Sequence, residues 1–219
     1  AADAAVATAA ALNVTEPTST GIGGDVFALY FNNDQKEVLG INASGRSPQK
    51  LSLEYLDSIG IVDNLEKFSV HTITVPGAAA GWVDTIEKWG NLNLVEILEP
   101  AISLAEKGFP VSKLTAKSWE RGAKLQLINS KNSNEMLLNG KAPRAGELMK
   151  LPYLAETFKE LSENGKPGFY EGRIGNAIID IIHELGGVME LSDLKNHNSE
   201  FVKPISTKYR DYEIYEIPP

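Results

Sequence analysis

The sequence predicts an α+β fold. Strand-like runs lie near its start and at its end, and a long stretch of helical periodicity separates them. A composition of 42% hydrophobic and 23% charged residues suits a chain with a buried core. On this basis the chain divides into residues 1–75 (a helix and sheet strands), residues 76–197 (mainly helical) and residues 198–219 (a return to strand).

The opening AADAAVATAAALNV is apolar on nearly every face, as in a helix buried all round, and ends near Asn13. No N-cap signal precedes it. In EPTSTGIGGDVFALYF, the glycines Gly21, Gly23 and Gly24 stand directly before a strand-like run. A dinucleotide-binding turn has its glycines after a strand and opening a helix, and a Walker loop needs Gly-Lys-Ser/Thr. Neither pattern is present, so the glycines read as a tight turn that uses positive φ angles. Asp25–Phe31, the turn signal at Asn32–Gln35 and Lys36–Ser44 form an antiparallel pair. These strands have few polar positions, which predicts a sheet covered on both faces. Ser69–Val75 reads as a third strand.

Helices follow. Leu94, Ile97, Leu98, Ala101 and Ala105 share one face, with Asn93 as N-cap and Gly108 as the stop. Pro100 inside that pattern predicts a kink or two short helices. Ser112 caps a helix running through Trp119 towards Leu127. Leu151, Leu154, Ala155, Phe158 and Leu161 form another stripe behind Pro152. In RIGNAIIDIIHELGG, Ile174, Ala177, Ile178, Ile181, Ile182 and Leu185 align, and Gly186 sits where a C-cap glycine belongs. Phe201 to Ile217 returns to strand character.

A net charge of −8 with no Lys/Arg run argues against phosphate-backbone binding, so no nucleic-acid partner is expected. No apolar stretch is long enough to span a bilayer as a helix. The absence of cysteine excludes disulfides, thiol catalysis and cysteine–zinc sites. His183 begins HELGG, which lacks the second histidine of a zinc HExxH motif, and falls on the polar side of its helix. His71 reads as a structural histidine, and His197 lies in a loop without an evident partner. Trp82 and Trp89, at helical spacing, read as core. No G-x-S-x-G elbow exists. The starting residue is not Met and the chain stops at two prolines after a strand, so it reads as a piece of a longer polypeptide.

Several motifs come in a telling order: NVTEPTSTGIGGDVFALY, HTITVPGAAAGW, ILEPAISLAEKGFPVS, GFYEGRIGNAIIDII, GGVMELSDLKNH and YRDYEIYEIPP. Together they resemble the N-terminal, large-subunit part of the γ-glutamyltransferase (γ-glutamyltranspeptidase) family over essentially the whole chain. The resemblance implies part of an αββα sandwich of the N-terminal-nucleophile hydrolases with a large helical portion. It implies a precursor that cuts itself before a threonine and pairs with its small-subunit segment. That threonine is expected downstream of Pro219, so no catalytic residue is assigned here and neither Thr72 nor Thr74 takes its place. With a reference pKa of about 8, its own α-amino group can take the hydroxyl proton, and no metal or cofactor is expected. The implied substrates are γ-glutamyl compounds such as glutathione. The alternatives are a cephalosporin- or glutaryl-type acylase of the same superfamily and a processing-defective homologue.

One departure concerns substrate binding. The family's Arg-Glu-x-x-Pro-like pattern supplies an arginine for the substrate α-carboxylate, a task suited to a planar fork of donors. Here the stretch is INASGRSPQK. Aligned on Pro48, the arginine position holds Ser44, and Arg46 comes two residues later. Either a shift of the loop lets Arg46 serve, or the clamp is absent and Arg46 is a solvated loop residue. The Ser-Gly-Arg-x-Pro pattern is similar to that of the divergent, acylase-like members.

Overall fold

The computed structural model describes the backbone of residues 1–219 and every side chain except that of Asn129. The elements are α1 (Ala2–Thr15), β1 (Val26–Asn32), β2 (Glu37–Ala43), α2 (Leu53–Ser58), α3 (Ala78–Trp89), α4 (Leu94–Lys107), β3 (Phe109–Pro110) and α5 (Lys113–Leu125). After these come β4 (Leu148–Met149), α6 (Pro152–Tyr170), α7 (Gly172–Glu184), α8 (Leu191–Lys195), β5 (Glu200–Val202), β6 (Ile205–Tyr209) and β7 (Tyr212–Glu216). They form two compact units: Ala1–Ile22 with Ile86–Gly165, and Gly23–Thr85 with Lys166–Pro219.

In the first unit α1 packs on α4. Its buried residues, Ala2, Val6, Ala10, Asn13 and Val14, form one stripe, so α1 is not buried all round. An alanine-rich helix hides its sidedness because a methyl group gives little contrast between faces. Asn93 and Glu96 close α4 with a reciprocal capping box, and Gly108 ends it at φ 97°. Contrary to the expected kink, α4 runs unbroken through Pro100. Proline removes only the N–H aimed at Glu96, on the exposed side where water can serve that carbonyl, while Ile97, Leu98, Ala101, Ile102 and Ala105 hold the buried side. The break falls in α6 instead, where Gly165 leaves the helical region at φ 60°, ψ −149° ahead of Pro167. Ser112 caps α5 by accepting from Thr115 N, and buried Trp119 donates to the Met136 carbonyl at 2.8 Å.

In the second unit β1 and β2 pair antiparallel from Val26 opposite Ala43 to Asn32 opposite Glu37. Asn32 Oδ1 builds the turn by accepting from Asp34 N and Gln35 N. β5 adds to the other edge of β2, giving the order β1-β2-β5. Ile41 and Ala43 are fully buried, whereas Phe27, Leu29 and Phe31 are exposed. Within these 219 residues one face of β1 is half-buried, and the face carrying Phe27, Leu29 and Phe31 is exposed. β6 and β7 form a separate hairpin, exposed along its length.

Ser69–Val75 is not a strand. Ser69 Oγ accepts from His71 N and starts a 3-10 turn over Val70–Thr72. The β-branched residues suit an extended run, but Ser69 N, Thr72 N and Ile73 N bond to carbonyls three residues back, and Val75 N alone of these reaches a distant segment, the Arg46 carbonyl, at 3.0 Å. The glycines before β1 also differ from expectation, since none has positive φ. The carbonyl of Gly24 instead accepts from Gly77 N at 3.0 Å and Ala78 N at 2.9 Å, covering donors at the start of α3. α7 buries Ile174, Gly175, Ile179 and Ile182, while Ala177 and Leu185 are exposed. Its working stripe is thus rotated from the one the apolar residues suggest. Gly186 does take the left-handed conformation after the helix, at φ 83°. No helix among the described residues is long and apolar enough to cross a membrane.

The α3 start has a second anchor. The buried Tyr170 hydroxyl donates to the Pro76 carbonyl at 2.6 Å and accepts from Ala80 N at 2.9 Å. Burial pushes its pKa up, against the Ala80 N–H, and the Asp84 and Asp25 carboxylates push it further in the same direction. The phenol therefore stays protonated. Tyr170→Phe leaves a buried donor and a buried acceptor unpaired, and a loss of about 1–3 kcal/mol is expected. In urea unfolding of the full-length protein the midpoint should fall with little change in slope. An unaltered midpoint would show that the hydroxyl anchors nothing.

Candidate functional site

The backbone after β2 is held unusually close to its neighbours. A Cβ on Gly45 would lie 1.7 Å from the Val75 carbonyl oxygen, and one on Gly77 would lie 2.0 Å from that of Ala43. Neither glycine has positive φ, so each is required for space and not for conformation. Asp25 Oδ1 accepts from Gly45 N at 2.7 Å, and Asn42 Oδ1 accepts from Ser44 N at 2.9 Å. Together with the Val75–Arg46 backbone bond, these contacts fix the path of residues 44–46.

Both sequence candidates, Ser44 and Arg46, lie on that path. They line one small cavity of about 170 Å³ with Asn42, Asn198 and Glu200. Arg46 Nη2 donates to Glu200 Oε1 in an ion pair whose side chains are 58% and 59% exposed. Arg46 is therefore engaged with a carboxylate already present in the chain. One N–H edge of a guanidinium can be used this way while others stay available. Arg46 also faces a second cavity of about 340 Å³, lined by Ser47, Gln49, Val75, Asp193, Asn196 and His197. Asp193 ties its wall together by accepting from Gln49 N at 3.0 Å and Glu190 N at 2.8 Å, and Lys50 pairs with Glu190.

His197 is the residue that the sequence undervalued. It is only 5% exposed, its ring lies 5.7 Å from that of Tyr170, and neither ring nitrogen has a hydrogen-bond partner. Burial depresses its pKa, and the Arg46 guanidinium depresses it further. Asp25 and Asp84 pull it upward and Lys166 slightly down. The ring is thus held neutral. Nearby, the Asp84 carboxylate is paired with Lys166 at 2.7 Å. The other histidines do not enter this group. His71 packs edge-on against Tyr55, and exposed His183 bonds through Nε2 to the Met189 carbonyl. Glu200 was missed as well. It lies 154 residues from its partner Arg46, and only the β2–β5 pairing brings the two together.

The combination of an antiparallel sheet and helices matches solved structures of the N-terminal-nucleophile hydrolase fold. The γ-glutamyltranspeptidase of Helicobacter pylori superposes with a TM-score of 0.92 at 29% identity, covering 100% of this chain and 63% of that one. The cephalosporin acylase of Bacillus halodurans gives 0.91 at 37% identity, covering 100% of this chain and 42% of that one. The family model for gamma-glutamyltranspeptidase matches residues 1–219, and the chain belongs to that family. Among curated relatives, the glutathione hydrolase-like YwrD proenzyme of Bacillus subtilis (strain 168) is 35% identical over 99% of this chain. The chain spans 41% of that relative's length.

A neutral buried histidine makes a signed prediction. The unfolded chain binds this proton near the reference pKa of about 6.5, the folded chain only at lower pH, so stability is lost as pH falls below about 6.5. His197→Gln should flatten that part of the dependence, whatever it does to stability at neutral pH. The check is the unfolding free energy of both proteins between about pH 7 and 5. Equal slopes would mean that His197 titrates alike in the folded and unfolded chains.

Proposed function

We propose that residues 1–219 are the large-subunit segment of one N-terminal-nucleophile hydrolase domain, in a precursor that cleaves itself to release a threonine nucleophile. Its partner is the small-subunit segment of the same precursor. The enzyme transfers a γ-glutamyl group from an amide, such as that of glutathione, to water or to an amine. The threonine's own amine serves as the base, and the proposed steps call on no metal or cofactor. The observation that carries this reading is the family match along the entire chain. Arg46, fixed at the end of β2 beside a small polar cavity, supports it as the group that receives the substrate carboxylate.

A second reading is a glutaryl- or cephalosporin-type acylase. It is favoured by the Ser-Gly-Arg-x-Pro sequence at Arg46 and by the 37% identity to the Bacillus halodurans acylase. The full-length protein separates these readings. Two bands on a denaturing gel, the smaller beginning with threonine, are expected from either enzyme. A single uncut band would leave only a non-catalytic homologue. Hydrolysis of γ-glutamyl-p-nitroanilide compared with its glutaryl counterpart then selects the substrate.

Arg46→Ala provides the residue-level test. Loss of a charge-assisted pair of roughly 1.5–3 kcal/mol corresponds to roughly a ten- to hundredfold fall in kcat/KM on the γ-glutamyl anilide. An acyl anilide with no carboxylate at that end should be affected far less. Arg46→Lys should recover little, because an ammonium does not reproduce the fork. Wild-type kinetics in the alanine variant would remove Arg46 from substrate binding.

A further inference from the structure

We propose that the cavity between α5 and the loop at residues 140–145 binds an amphipathic carboxylate, a single charged head on an alkyl or aromatic body. The cavity has a volume of about 600 Å³ and lies entirely within the first unit. Small-molecule sites typically enclose about 300–1,000 Å³. None of its lining residues is shared with the cavities at Arg46.

Its charge is out of keeping with the chain. The sequence carries a net charge of −8, yet Lys117, Lys124, Lys141 and Arg144 line this cavity with Glu120 as the one carboxylate. Glu120 is already paired with Lys124 at 2.7 Å, one helical turn away. Among the described residues no carboxylate forms an ion pair with Lys117, Lys141 or the Arg144 guanidinium. Lys117 and Lys124 stand two turns apart on one face of α5, and Lys141 and Arg144 come from the loop. An anion entering between these walls meets positive charge from both.

The floor is apolar. Ala116, Ala123, Ile128, Ala142 and Pro143 form it, and Ile128 is 61% exposed, a large side chain presented to water. An apolar body laid on this floor takes that surface out of water. Among the described residues no aromatic side chain lines the cavity, so it offers no platform for a nucleic-acid base. The walls are also held before any ligand arrives. Buried Trp119 donates to the Met136 carbonyl at 2.8 Å, tying α5 to the segment that leads into the loop. Leu138 and Lys141 exchange backbone bonds of 2.8 and 3.1 Å across a tight turn, in which Asn139 and Gly140 take φ 51° and 75°. Gly146 N donates to the Val111 carbonyl at 2.8 Å, and Val111 N to the Glu147 carbonyl at 3.0 Å. Lys141 and Arg144 are thus exposed side chains on a fixed main chain, which leaves little backbone ordering for a ligand to impose.

Calorimetric titration of the full-length protein with octanoate, octanamide, octylammonium and acetate tests head and body separately. Octanoate should bind at least about tenfold more tightly than octanamide, and added salt should weaken octanoate while sparing octanamide. Octylammonium, with the wrong charge, and acetate, with no apolar body, should not bind measurably. Lys141→Gln/Arg144→Gln should lower the preference for octanoate over octanamide about tenfold. Ile128→Ser should weaken octanoate and octanamide together. All three positions are exposed, so the fold should tolerate these changes. Arg46→Ala should leave octanoate binding unchanged. No octanoate binding, equal affinities for octanoate and octanamide, acetate binding as tight as octanoate, or an undiminished preference in the double variant would each overturn the assignment. So would loss of octanoate binding in Arg46→Ala.

Discussion

Around Arg46 the structure depends on two main chains lying too close together to admit a Cβ. Gly45 faces the Val75 carbonyl and Gly77 faces that of Ala43, so the loop after β2 and the approach to α3 interlock without side chains between them. Hydrogen bonds then exploit that proximity: Val75 N to the Arg46 carbonyl, and Gly77 N and Ala78 N to the Gly24 carbonyl. The donors at the start of α3 are satisfied in the process, with Tyr170 supplying the partner for Ala80 N. Arg46 is exposed, yet its backbone is tied by the hydrogen bond from Val75 N and by the close approach at the neighbouring Gly45. This combination suits a binding residue, whose charge must meet solvent or ligand while its base does not move.

Electrostatics follow from that frame. Within one unit the charges fall into short-range pairs, Arg46 with Glu200, Lys50 with Glu190 and Lys166 with Asp84, and the buried His197 remains neutral among them. The outer pairs are half exposed and add little to stability. The neutral histidine adds polarity to the cavity wall without altering that charge pattern.

Much of this fold was legible in the sequence where a local interaction decides the outcome. The Asn93–Glu96 capping box, the Ser112 cap, Gly108 and Gly186 all act within a few residues of themselves, and each is found where its sequence signal lies. Legibility failed where distant packing decides. Ser69–Val75 has strand composition but lacks a ladder partner, and Pro100 is tolerated because the opposite face of α4 is firmly packed. Positive φ was expected at Gly21, Gly23 and Gly24, yet the space-limited glycines are Gly45 and Gly77, which local sequence does not mark. Of the candidate site, Arg46 and Ser44 could be nominated by motif alignment. Glu200 could not, because its pairing with Arg46 exists only through sheet register, and neither could His197, whose burial is created by tertiary contacts.

The glycines also differ in how their loss could be repaired by evolution. An alanine at Gly81 would collide with the side chains of Val26 and Ala43, at 2.1 and 2.7 Å, and a smaller residue at position 26 relieves the nearer collision. An alanine at Gly45 meets a carbonyl oxygen, which every amino acid at position 75 carries. Second-site suppression by trimming a neighbour is open at position 81 and closed at position 45. Sequence drift around Arg46 is thereby confined to side chains, while the main-chain crossing beneath it has no compensating partner to drift with.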